Sequence, residues 1–389
     1  MKHPLSHLSS RHQKLVLVLF GSMLSLGFYD AVRGALLPTI RISLGLPYGT
    51  IGLALFLAGL GYPTAVLLGG ILADRFGAWR LATVGYVLMA GASGFAPAVT
   101  GSLTFALLIL LIHLGLGLLD VSLNAIGGAI FVTKTALMMS YLHLFFGLGA
   151  SLSPGYASVM LGFDWSWQFV YLSMLVLILP FMLLAWRSRN RQGSDSSTTT
   201  ERHWSEAFRS ESVGLYIGLL ALAVSFEIGV STWHSNYLVA VRGYTPAAAA
   251  VYLSFFFGAF TVGRLTGGHI VERTGYVRAL IWAPSAAVGF FALGLLLPGM
   301  PFLTSLSGYF IGILFPTIIA LVSRRYVEHR SSVIGIVMAS GIAVQMATIW
   351  VVALAHEHLG EELGFSTIAL FGVGMIGLVI VFRRKFETE

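Results

Sequence analysis

Asp120, His113 and Asn124 are the polar residues whose spacing is most suggestive of chemistry. His113 stands seven positions before Asp120 and Asn124 four after it, so on a helix the three share one face. Their surroundings are apolar. A carboxylate there with no fixed cation in its own helix is suited to carry a proton, because desolvation makes its charge costly; the alternative role is a structural hydrogen bond to a neighbouring helix. Asp30 and Arg33 form a second set at i, i+3. They either neutralise each other locally or form a switchable pair, in which protonation of Asp30 frees Arg33 for a solute. Glu227 has no basic residue within its own helical turn, and His234 lies seven positions on; hydrogen bonding to a solute or proton relay suits that carboxylate better than a structural role. His143 can bond a solute, relay a proton or pack between helices. Gln345 offers both a donor and an acceptor to a hydroxylated ligand. Tyr29, Trp233, Trp282 and Trp350 could stack on a sugar face, and only Tyr29 is favoured by an adjacent acid, Asp30. His356-Glu357-His358 is read as a solvated outer loop.

Other chemistries find no support. The sequence has no Gly-x-x-x-x-Gly-Lys and no His-Glu-x-x-His, and Gly372-Val-Gly374-Met-Ile-Gly377 matches a dinucleotide pattern but follows no strand. With no cysteine there is neither a disulfide framework nor a zinc-thiolate site. No enzyme, cofactor or metal is expected.

The elements that must hold these residues are set by composition. Of 389 residues 57% are hydrophobic and 10% charged, against roughly 25% charged in a soluble domain. Lipid must then form the exterior. Apolar stretches long enough to span a bilayer number twelve, at about 15–38, 50–72, 80–99, 103–131, 137–160, 167–186, 213–238, 248–270, 279–298, 302–322, 332–354 and 363–382. The first is too long for a signal-peptide core and is read as a retained span. One long polar interruption, 187–212, contains Gly193-Ser-Asp-Ser-Ser-Thr-Thr-Thr200 and reads as a flexible cytoplasmic linker. It divides the chain into six-helix bundles at 1–186 and 213–389. The net charge of +7 follows the membrane rather than nucleic acid. With the N-terminus inside, 19 of the 23 Lys and Arg fall in inner segments, Arg41 and Arg242 in outer loops, and Arg33 and Arg264 within spans. That asymmetry fits twelve spans with both termini cytoplasmic.

The halves also repeat. Gly69-Gly-Ile-Leu-Ala-Asp-Arg-Phe-Gly-Ala-Trp-Arg80 aligns without gaps on Gly267-Gly-His-Ile-Val-Glu-Arg-Thr-Gly-Tyr-Val-Arg278 at an offset of 198. Gly69, Gly70, Arg75, Gly77 and Arg80 recur, Asp74 is answered by Glu272, and Gly45 falls on Gly243 at the same offset. A parallel repeat implies pseudo-two-fold symmetry about an axis normal to the membrane, with a solute site at the midplane.

The stretch Gly70-Ile-Leu-Ala-Asp74-Arg75-Phe-Gly77-Ala-Trp-Arg80 resembles the loop after the second helix of the major facilitator superfamily. The resemblance implies an all-α membrane protein with that family's fold, its twelve transmembrane helices forming the two bundles. It also implies that Gly70, Asp74, Arg75, Gly77 and Arg80, with Glu272, Arg273, Gly275 and Arg278 in the second copy, act as a conformational latch. Arg264 is read with the latch of the second half. Shorter pieces are similar to the proton-coupled sugar branch that includes the fucose permease and the glucose/mannose permeases. These are Gly115-Leu-Gly-Leu-Leu-Asp120-Val-Ser-Leu-Asn124, Leu142-His143-Leu-Phe-Phe-Gly147, Phe226-Glu227-Ile-Gly229 with Asn236-Tyr237-Leu238, Ser254-Phe-Phe-Phe-Gly258 and Gly312-Ile-Leu-Phe315-Pro316-Thr317. Gln345 departs from that branch, where a small residue or proline is expected.

The residues and the resemblance together lead to a secondary active transporter of a small polar, sugar-like solute, working by alternating access with proton coupling. Asp120, Asp30, Glu227 and His113 are the candidate proton carriers. Glu227, Asn124, His143, His234, Gln345, Tyr29, Arg33 and Asn236 are the candidate solute ligands. A sodium-coupled symporter and a proton-driven exporter of amphipathic compounds are the alternatives. The expected partners are the solute, protons and membrane lipid, with no nucleic acid. The expected form is a monomeric, multi-pass protein of a prokaryotic plasma (inner) membrane.

Overall fold

A computed structural model of the chain describes residues 10–131, 135–188, 211–326 and 330–383. Most of the sequence linker, 189–210, lies outside the described residues. Among the described residues twelve helices are long and apolar enough to cross a membrane: Leu15–Leu44, Tyr48–Ala73, Ala78–Ala98, Ser102–Ile130, Tyr141–Gly162, Trp167–Ser188, Val213–Ala240, Pro246–Thr274, Tyr276–Leu296, Phe302–Arg325, Val333–Leu359 and Glu361–Val381. They are referred to below as spans one to twelve. All twelve expected stretches are present. The largest shifts are at two ends. The first span continues past Pro38 to Leu44, and the eleventh reaches Leu359. Span two is broken between Gly59 and Gly61. The break has a local cause, since Pro63 has no N–H to donate to the carbonyl of Gly59.

The sequence repeat is visible in the backbone. Gly77 and Gly275 end spans two and eight with φ of 88° and 90°, and each amide closes the turn by donating 2.8 Å to a carbonyl four residues back. Gly45 and Gly243 follow spans one and seven with φ of 60° and 69°. Residues with a Cβ resist these φ values, so matched glycines at an offset of 198 fix matched turns.

The described parts of Met1–Val32, Leu57–Ser153 and Asp164–Thr198 form one compact unit, and those of Arg33–Phe56, Pro154–Phe163 and Thr199–Glu389 a second. The second therefore holds the later parts of spans one and five and the beginning of span two beside the six later spans. Within the first unit, a Cβ added at Gly117 would lie 2.7 Å from the carbonyl oxygen of Tyr62, so glycine allows span four to approach the backbone of span two at that level. Within the second, Gly263 meets the carbonyl of Tyr309 and Gly312 that of Phe260, bringing spans eight and ten backbone to backbone. Small residues at such crossings are how helices pack when lipid supplies no hydrophobic force between them. The outward apolar side chains, among them Leu103 at 82% exposure and Val176 at 79%, have no protein cover, as suits a lipid-facing surface.

Candidate functional site

In the first unit a polar cluster assembles around Asp120. The Tyr62 hydroxyl, from span two, donates to Asp120 Oδ2 at 2.7 Å. Asn124 Nδ2 donates to Asp120 Oδ1 and to its carbonyl oxygen, each at 2.9 Å, the i, i+4 geometry its spacing predicts. His143 of span five lies within electrostatic reach of Asp120, and Asp30 of span one within reach of Tyr62. Asp30 and His143 are exposed, while Tyr62, Asp120 and Asn124 are partly so. Side chains from four spans thus gather in one cluster, whose central carboxylate is held by two donors and remains partly exposed. The sequence reading missed Tyr62, whose partner lies 58 positions away.

Two neighbours of this cluster have other attachments. His113 is buried, its Nδ1 donating 2.8 Å to the carbonyl of Ile109, and seven residues separate it from Asp120 by about 10 Å at the helical rise. Tyr29 is 1% exposed and its hydroxyl is bonded to Ser93 at 2.9 Å. It packs into the unit and offers no open stacking face, contrary to the sugar-stacking expectation.

The second unit separates its polar residues into two groups. Glu227 of span seven lies within electrostatic reach of Arg264 of span eight. The guanidinium carbon of Arg264 sits over the ring of Phe260, 4.3 Å from its centroid, and 5.7 Å from that of Phe315. The reading of Arg264 as part of the loop latch is therefore corrected, since its neighbours are an acid and two aromatic rings within the spans. Gln345 is partly buried, and Arg33 is 6% exposed.

The other group lies around the start of span two. Tyr48 donates to Glu361 Oε1 at 2.6 Å and accepts from Asn236 Nδ2 at 2.9 Å. Arg41 Nε donates to Asn236 Oδ1 at 3.2 Å, its Nη2 lies 3.8 Å from Glu361 Oε1, and its guanidinium carbon is 4.3 Å from the Tyr48 ring centroid. The amide of Gly49 donates to Glu357, placing a carboxylate at the positive end of the second helix. His356 is 2% exposed and stacks on both Tyr48 and Trp233, at 5.2 and 4.9 Å. The expectation of a solvated His356-Glu357-His358 loop is thus overturned for His356, which is buried in a continuing helix with its Nδ1 donating to the carbonyl of Val352, while Glu357 and His358 stay exposed.

Two expected solute ligands fall in this second group. Asn236 is 1% exposed and engaged by Arg41 and Tyr48. His234 is fully buried, stacked on Phe365 with ring centroids 6.1 Å apart. Either would need this packing to open before meeting a solute.

The latch residues are only partly tied. Glu272 pairs with Arg324 of span ten at 3.3 Å and is bonded by the Tyr276 hydroxyl. Arg324 also donates 2.9 Å to that hydroxyl, its guanidinium carbon 4.1 Å from the ring centroid. Arg75, Arg80, Arg273 and Arg278 are exposed, and the side chain of Asp74 lies outside those described. At Gly70 a Cβ would meet nothing within 4 Å, so packing gives no reason for glycine there. Among the described residues no group of three or more His, Cys, Asp or Glu could hold a metal ion.

Comparison with known proteins places this arrangement. Residues 18–344 match the family model described as Major Facilitator Superfamily. The chain is 26% identical over 267 residues to an uncharacterised MFS-type transporter of Yersinia pestis, a match covering 66% of this chain and 65% of that protein. It is 25% identical over 185 residues to bypass of stop codon protein 6 of Saccharomyces cerevisiae, covering 41% of this chain and 37% of that one. The chain therefore spans less than two thirds of these curated relatives. Among solved structures it is similar to the nucleoside transporter NupG (TM-score 0.78, 16% identity, 97% of this chain and 100% of the other). It is also similar to a D-xylose-proton symporter (0.75, 16%, 96% and 97%) and to the E. coli fucose:proton symporter (0.62, 16%, 97% and 99%). At these identities the likeness is one of fold.

Proposed function

Because the chain belongs to the Major Facilitator Superfamily, we propose that it is a secondary active transporter which moves a small, polar, sugar-like solute by alternating access and couples that movement to protons. The observation that carries the proposal is the Asp120 cluster. An ionisable side chain in the middle of a membrane span, held by Tyr62 and Asn124 and still partly exposed, is placed as proton-carrying groups of transporters are. His143 and Asp30 at its edge supply a route for that proton or a polar contact for solute. The solute side belongs to Gln345, which offers both a donor and an acceptor to hydroxyl groups, and to the neighbourhood of Glu227 and Arg264 on spans seven and eight. The branch resemblance and the sugar–proton symporters among the structural neighbours are in keeping with this reading.

On the topology read from the charge count, the Arg41–Tyr48–Asn236–Glu361 group lies on the outer side and serves as the closing contact there. The glycine turns at Gly77 and Gly275, with the Glu272–Arg324 pair, act at the inner side. An exporter of amphipathic compounds would call for a mainly apolar site with one acid. Asp30, Asp120, Glu227 and Arg264 at depth favour the polar-solute reading.

The test is uptake of radiolabelled sugars into proteoliposomes, with and without an imposed pH gradient, beside a binding measurement on the same protein. Accumulation driven by the gradient supports the proposal. A protein indifferent to pH but stimulated by sodium would replace proton coupling, and the absence of any saturable sugar-class uptake would remove the solute class.

A further inference from the structure

Arg264 is held from the wrong direction for a purely structural cation. Its guanidinium carbon lies over the ring of Phe260 at 4.3 Å and near that of Phe315 at 5.7 Å. Ring faces attract the cation through their quadrupoles and accept none of its N–H bonds in the plane. Arg264 Nε is buried and has no hydrogen-bond partner, which leaves a desolvated donor unsatisfied, a costlier state still when the donor carries charge. The residue is also firmly placed. The preceding Gly263 abuts the carbonyl of Tyr309, and Gly312, three positions before Phe315, abuts the carbonyl of Phe260. Spans eight and ten are therefore locked together at the level of the guanidinium and both rings.

From this geometry, and resting on the transporter reading above, we propose that Arg264 is an anion-docking residue and that the transported solute is a polyhydroxylated carboxylic acid, a sugar acid rather than a neutral sugar. A carboxylate approaching Arg264 in the plane of its guanidinium accepts from Nε and one Nη together, the side-on fork for which arginine is suited and lysine is not. That contact satisfies the orphaned Nε–H. The guanidinium meanwhile keeps its place over the Phe260 ring. Glu227 is the internal stand-in. It supplies negative charge to Arg264 and competes with the solute's carboxylate for the same cation.

The experiment measures binding to the purified full chain by thermal shift and calorimetry at one fixed pH. The probes are D-glucuronate, D-gluconate, D-glucose and D-glucose 6-phosphate. At least one sugar acid is expected to bind about tenfold or more tightly than glucose, a preference of the size a charge-assisted pair supplies. Arg264→Gln should abolish that preference, and Arg264→Lys should weaken sugar-acid binding. Glu227→Gln, which removes the competitor and keeps the shape, should tighten it. A solely structural arginine would not give this gain. The melting temperature of each empty variant separates loss of binding from loss of fold, and Glu227→Gln tests the idea even if both Arg264 variants fail to fold. Glucose binding as tight as that of both acids, and indifferent to Arg264→Gln, would overturn the anion assignment and leave the sugar-transporter reading standing. Binding of the phosphate ester alone would overturn the carboxylate assignment. Failure of all four probes to bind would overturn the inference together with the solute class proposed above.

Discussion

Tyr48 donates its hydroxyl to Oε1 of Glu361 across 2.6 Å, joining the first residue of span two to the first residue of span twelve. Around it, Arg41 approaches the same carboxylate at only 3.8 Å, with side chains 21% and 35% exposed. A partly exposed pair of that kind is worth about 0–1 kcal/mol, whereas a hydrogen bond to a charged group contributes about 1.5–3 kcal/mol. The tyrosine, not the arginine, is therefore the main tie in this group.

Removing that tie should loosen the contact. In a chain carrying Ala353→Cys, a buried position facing Gly52, Tyr48→Phe should raise the rate of thiol alkylation by about tenfold or more, following the hydrogen-bond energy. Arg41→Gln should raise it by only a few fold at most. Equal rates in all three backgrounds would show that apolar packing alone holds this end.

Asp120→Asn keeps the size of the side chain but cannot ionise. Accumulation driven by a pH gradient should be lost in proteoliposomes, while solute binding and exchange persist. Tyr62→Phe, which removes one donor and leaves the carboxylate, should reduce gradient-driven uptake without abolishing it. Wild-type gradient dependence in the Asp120→Asn protein would exclude it as the carrier.

Gly77 and Gly275 should respond alike to substitution, because their φ values of 88° and 90° match. Valine at either costs about 1–3 kcal/mol of backbone strain, with open space around the added side chain. Each variant should melt at a lower temperature and turn over more slowly, with solute affinity little changed. Normal turnover in both would reduce these loops to charged anchors.

The native chain lacks cysteine, so topology can be read with single introduced thiols. Cysteine at the exposed Glu362 should react with an impermeant reagent added outside intact cells, and cysteine at Ser196 should not. Glu362 is preferable to Glu361, whose carboxylate is engaged by Tyr48. Labelling of Ser196 from outside would reverse the orientation derived from the lysine and arginine count.

The sequence alone determined the features that depend on short stretches of chain. Twelve spans follow from local hydropathy, and the paired turns follow from glycine at φ values other residues resist. The Asp120–Asn124 bond was legible for the same reason, being four residues apart on one helix. Tertiary structure decided every longer pairing. Tyr62 reaches Asp120 over 58 positions, Arg324 reaches Glu272 over 52, and Tyr48 reaches Glu361 over 313. It also turned Tyr29, His234 and Asn236 into the packed interior, and kept His356 helical where falling hydropathy suggested a loop. Periodicity places a polar residue on a helix face, but which neighbour meets that face depends on how the spans cross. Those crossings are set by backbone approach at sites such as Gly117 and Gly263, where the partner surface lies far away in the chain and leaves no local pattern.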